Sequence, residues 1–153
     1  MGLLLTLFIT VLGCVIGGLI LRHIPQKAKP RIDDAHIEWP EEDDPIKKCE
    51  IRDLYVGNTG AGRCTVIGLT LEAAEWTIDL SGASKMRLPW DVPAKGMSKV
   101  MPPLKADVSR EEGRTQLPDS IILTLEFNHG HLLTETLYSV AGGREYALDR
   151  PEN

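Results

Sequence analysis

His129 and His131 flank Gly130 as an H-x-H pair. A two-residue step along a strand sets both imidazoles on one face. Neutral imidazole is a common metal ligand, but a metal centre needs at least a third donor. Glu126 or Glu135 would have to converge on the pair to supply it. The plainer reading is two solvated turn histidines, so neither a metal nor any other cofactor is expected. Ser81, Ser84, Ser98, Ser109, Ser120 and Ser139 show no nucleophile-elbow glycine pattern. Cys49 and Cys64 fall in no catalytic or zinc-type signature and read as small buried residues. In a reducing compartment they stay thiols, whereas in an oxidising one they could close one disulfide loop. Gly60 and Gly62 lack the lysine and following helix of a phosphate loop, and the Asn58-Thr59-Gly60 stretch reads as a tight hairpin turn. No catalytic residue is assigned, and the chain is not expected to be an enzyme.

The elements that position these residues begin with residues 2–21, a run without a formal charge. A helix of that length rises about 30 Å, the thickness of a bilayer's hydrocarbon core. Thr6 and Thr10 are tolerable there, because a helical hydroxyl can bond back to a carbonyl one turn earlier. No Lys or Arg precedes the run, while Arg22, Lys27, Lys29 and Arg31 follow it. The positive-inside rule then predicts an uncleaved single-pass signal anchor over 1–21, with the N-terminus outside and the remainder in the cytosol. Gly13 and Gly17 form a G-x-x-x-G, a spacing that lets two such helices approach and dimerise. Val11-Leu12-Gly13-Cys14 also resembles the lipobox of bacterial lipoproteins, which would lipidate Cys14 and place the domain outside the cytoplasm. The apolar residues 15–21 after that cysteine, and the uncharged start, depart from that context.

About 120 residues remain beyond the span and its flank, room for one domain. The whole chain carries a net charge of −5. Four of its 17 basic residues precede residue 32, leaving 13 basic against 22 acidic residues, or −9, for the rest. That balance argues against nucleic-acid binding. Residues 22–48 hold four prolines and a run of acids from Asp33 to Asp44. They read as a basic flank that meets lipid headgroups, followed by an extended acidic linker that holds the domain off an anionic leaflet.

From residue 49 short alternating runs set in. Residues 51–56, 64–71, 76–80 and 97–101 read as strands, with loops at 81–96 and 105–119. Ile121, Leu123, Leu125 and Phe127 alternate with polar or outward residues, and the Asn128-His129-Gly130 turn leads into a partner strand over 131–140. Residues 141–153 read as a polar tail. Several short strands with turn signals between them argue a β-sandwich over 49–140. The phrase Leu54-Tyr55-Val56-Gly57-Asn58-Thr59-Gly60, followed by Val66-Ile67-Gly68-Leu69, resembles the early strands of Ig-like domains in bacterial single-pass membrane proteins. The resemblance implies a Greek-key, Ig-like architecture and no activity.

The fold class expected is therefore one transmembrane helix followed by an all-β, Ig-like sandwich. The function expected is a membrane-anchored binding or scaffold module with a protein partner. Lys85, Met86, Arg87 and Trp90, in the 81–96 loop, are the candidate contact residues. The alternative is an extracytoplasmic envelope protein, anchored or lipidated at Cys14.

Overall fold

A computed structural model describes residues 27–41, 47–80, 88–99, 103–110 and 117–149. The anchor over 1–21, its Gly13 and Gly17, Cys14, and the Lys85, Met86 and Arg87 contact residues lie outside the described residues. Among the described residues, no helix is long and apolar enough to cross a membrane.

The domain is all β. Ten strands run as β1 (Pro30–Glu38), β2 (Lys48–Asn58), β3 (Cys64–Glu72), β4 (Trp76–Asp79) and β5 (Trp90–Val92), then β6 (Gly96–Lys99), β7 (Leu104–Arg110), β8 (Ser120–Phe127), β9 (Leu132–Ser139) and β10 (Glu145–Leu148). They form one antiparallel sheet in the order β4-β7-β2-β1-β10-β9-β8-β3-β5, with β6 lying beside β2. The sheet curls over a single core, and its two halves face one another as in a sandwich. Ile37, Ile51, Leu54, Val56, Val66, Ile121, Leu123, Leu125, Phe127, Leu137 and Tyr146 are all essentially inaccessible.

The expected linker is in part a central strand. β1 pairs with β2 on one edge and β10 on the other. Asp34 is exposed and Asp33 and Glu38 half-buried, while Ile32, Ala35 and Ile37, and Trp39 just beyond, are buried. Trp39 packs edge-on against Trp76 at 5.1 Å and against Tyr146 at 6.0 Å. A β-bulge between Ile32 and Asp34 shifts the inward phase by one residue, which hides the alternation from a period-2 reading. Two further expectations change. Residues 104–110 are strand β7, whose Leu104, Ala106 and Val108 face the core. The presumed tail contains β10, which buries Tyr146 and donates its hydroxyl to the Pro118 carbonyl at 2.6 Å.

The β8–β9 hairpin stands as expected, with Leu125 opposite Leu133 and Ile121 opposite Leu137. β3 is subtler. Its register against β8 slips between Val66 and Gly68. Cys64 and Val66 face inward before the slip and Leu69 and Leu71 after it, so residues from both expected faces reach the core. The Asn58-Thr59-Gly60 stretch joins β2 to β3, and these two strands are not neighbours. It is an arch between the two halves of the curl, where a hairpin turn was expected.

Burial pushes the Tyr146 hydroxyl up to about 12, with the nearby Asp119 charge adding to the effect. A folded-state value above the ordinary 10.0 means that the neutral phenol stabilises the fold fully below pH 10 and that this contribution is lost as pH rises through about 12. Thermal melts of the wild type should fall over that window, and Tyr146→Phe should flatten the phenol's part of the fall. A deletion series tests β1: removing residues 1–26 should leave a cooperative melt, and removing residues 1–41 should abolish it.

Candidate functional site

One end of the sandwich gathers the loops that enter β1, join β2 to β3, join β5 to β6 and join β8 to β9. Asn58 holds the first three together. It is the buried polar side chain among the described residues, 2 % exposed. Its Oδ1 accepts from the Lys29 and Gly60 backbone N–H groups, both at 2.9 Å. Its Nδ2 donates to the Gly62 carbonyl at 2.7 Å and the Pro93 carbonyl at 3.3 Å. All four hydrogen-bonding positions of the carboxamide are thus used, which is what makes its burial tolerable.

Backbone bonds complete the lock. Thr59 N–H donates to the Lys29 carbonyl at 3.1 Å, Gly62 N–H to the Lys27 carbonyl at 3.3 Å, and Lys95 N–H to the Gly60 carbonyl at 3.1 Å. Gly60 must be glycine for steric reasons: a Cβ there would sit 2.3 Å from the Lys27 carbonyl oxygen and 2.5 Å from Lys29 N. The chain is therefore fixed to the domain from residue 27 onward.

This end is charged in one sense. Residues 27–30, 59–63, 93–96 and 128–131 read Lys-Ala-Lys-Pro, Thr-Gly-Ala-Gly-Arg, Pro-Ala-Lys-Gly and Asn-His-Gly-His, with no Asp or Glu. Lys27, Lys29, Arg63 and Lys95 are exposed, and among the described residues none of them forms an ion pair. Arg31 is neutralised by Asp33 at 2.6 Å. Exposed Met97 and Leu132 flank the loops. Two open clefts lie here. One, of about 480 Å³, has residues 27–30 as a wall, Cys64 and Phe127 at its floor and His129 and His131 at its rim. The other, of about 540 Å³, lies between Arg31, Asp33, Thr59, Lys95 and Met97. At the opposite end, β1 carries the acidic Glu38 and the following Glu41 roughly 27 Å away, the length of a nine-residue strand.

The structure brings His129 and His131 to the same cleft without a third donor. Glu126 lies over Gly68 on the outer face of the sheet, and Glu135 sits opposite Leu123. Among the described residues, no three His, Cys, Asp or Glu side chains gather as a metal-holding group. Cys49 and Cys64 are free and buried on different strands, and burial pushes the Cys49 thiol up to about 11. Trp90 lies in β5, half-buried, and its indole N–H donates to Ser98 Oγ at 2.5 Å. The sequence reading missed Arg63, Lys95 and the role of Asn58. The signal available was the absence of any acid from four turn segments of an otherwise acidic chain.

A second surface is the outer face of β3, β8 and β9. Thr70 lies opposite Thr124, Thr124 opposite Thr134 with their hydroxyls 3.1 Å apart, and Ile122 opposite Thr136. Ile122, Tyr138 and the following Val140 are exposed on or beside it. The Thr70–Thr124–Thr134 row carries hydroxyls, and carboxylates border it, with Glu72 opposite Ile122 and Glu126 opposite Gly68.

No family model matches the chain, and no curated protein does. Among solved structures, the chain is similar to one described as the apo PCuAC domain from PmoF1. The identity is 12 %, the match covers 71 % of this chain and 90 % of that one, and the TM-score is 0.49. A likeness at that level says nothing about ligand or activity.

Replacing Asn58 by Ala strands two N–H donors and two carbonyls in a buried position. The expected loss is about 3 kcal/mol in a chemical denaturation curve, with faster amide exchange at Lys29 and Gly60.

Proposed function

We propose that this chain is a membrane-tethered, non-enzymatic binding module whose β-sandwich contacts another protein through the outer face of β3, β8 and β9. The observation that carries the reading is that face: Ile122, Tyr138 and Val140 stand exposed beside a row of threonine hydroxyls, with Glu72 and Glu126 at its margins. Exposed apolar and aromatic side chains rimmed by polar residues are what interaction sites use. Tethering is supported by the charge-free run over 2–21, which lies five residues before the first locked residue. The basic residues that follow the run favour a cytosolic domain. The Ig-like reading of the sandwich rests on the same strand phrases as before, with β1 now included in the sheet.

Buried Cys49 and Cys64 make poor reporters of sidedness, so protease protection in sealed vesicles is the better assay of orientation. The full chain should resist alkaline extraction from membranes. Capture of its partner from detergent-solubilised membranes should fall at least about tenfold in Ile122→Glu and Tyr138→Glu, with little change in melting temperature. Equal capture by both variants removes this face as the contact.

A further inference from the structure

We infer that the end of the domain built from residues 27–30, 59–63, 93–96 and 128–131 lies directly on an anionic phospholipid surface, so that the sandwich stands on the membrane with its basic end down. This rests on the tether proposed above and deepens it.

Three observations converge. The first is distance. The apolar run ends at residue 21, and from residue 27 the chain is hydrogen-bonded to the 59–62 arch. Five residues, 22–26, separate the run from the first bonded residue, and five extended residues reach at most about 17 Å. The tether therefore keeps the basic end close to the headgroups, whereas the far end stands about a strand's length further out.

The second is charge. Lys27, Lys29, Arg63 and Lys95 present unpaired cations, and the four loops contain no carboxylate. In a chain with 22 acids and 17 bases, that segregation is produced by topology. β1 begins among the cations, where Asp33 pairs with Arg31, and carries Glu38 and Glu41 about a strand's length away. An anionic leaflet attracts Lys and Arg only within about a Debye length, ~8 Å at physiological salt, and the short tether supplies that proximity.

The third is shape. Met97 and Leu132, 56 % and 61 % exposed, project beside the cations. The cleft between residues 27–30 and the 128–131 turn has an apolar floor under a rim of Lys and His, which suits a headgroup phosphate above acyl-chain carbon.

The test uses the full chain in lipid nanodiscs made of phosphatidylcholine alone, or of phosphatidylcholine with roughly 30 % phosphatidylglycerol, read by backbone amide exchange. In the anionic discs residues 59–63, 93–96 and 128–131 should exchange at least about fivefold more slowly, while the Ala73–Trp76 turn at the far end should not change. The protection should vanish at about 0.5 M salt and in the triple variant Lys29→Gln, Arg63→Gln, Lys95→Gln, whose side chains are all exposed. Equal exchange in both lipids, or protection that survives the triple variant, overturns the inference while leaving the tether standing. Release of the chain from neutral vesicles by alkaline carbonate overturns the tether instead. In that case flotation with anionic vesicles decides the lipid contact separately: salt-sensitive flotation supports it and sedimentation without lipid overturns it.

Discussion

The buried carboxamide of Asn58 is the constraint on which the rest of this domain depends. Its four hydrogen bonds join the entry to β1, the arch from β2 to β3, and the turn from β5 to β6. No apolar residue could do this, because each of those backbone groups would then be buried without a partner. With the entry pinned, β1 starts in one register and can take its place between β2 and β10. With the arch pinned, β2 and β3 diverge into the two halves of the curl. Gly60 permits the close approach.

Legibility of the fold followed the regularity of its strands. The β8–β9 hairpin was readable because Ile121, Leu123, Leu125 and Phe127 keep strict alternation and the turn residues permit a tight reversal. β1 was misread as a linker for two reasons. Its outward face is acidic and proline precedes it, the composition of a solvated spacer, and the bulge at Asp33 puts Ile32 and Ala35 three apart. The slip in β3 mixed two apparent faces in the same way. β10 was invisible because a four-residue strand with one wholly buried side chain, Tyr146, leaves almost no periodic signal. A bulge costs the sequence reader its phase, while costing the protein little.

The candidate surfaces were less legible than the fold, since neither is a motif. The cationic end is assembled from four segments spread between residues 27 and 131, each too short to register as a charge cluster. The outer face needs the register of β3, β8 and β9 before Thr70, Thr124 and Thr134 line up. Overall acidity argues against nucleic-acid binding, yet it conceals an end where the sign reverses. Net charge describes the far field of a molecule, and contacts answer to the local field.

The placement of β1 also has a mechanical meaning. The strand nearest the predicted anchor is bonded to β2 along its length and to β10 over His36–Glu38. A pull transmitted through the N-terminus loads both ladders along the strand axis. Their hydrogen bonds would then have to fail together, instead of peeling open one at a time. An anchor at the N-terminus, as proposed above, would hold the domain through the strand that bears tension across two ladders.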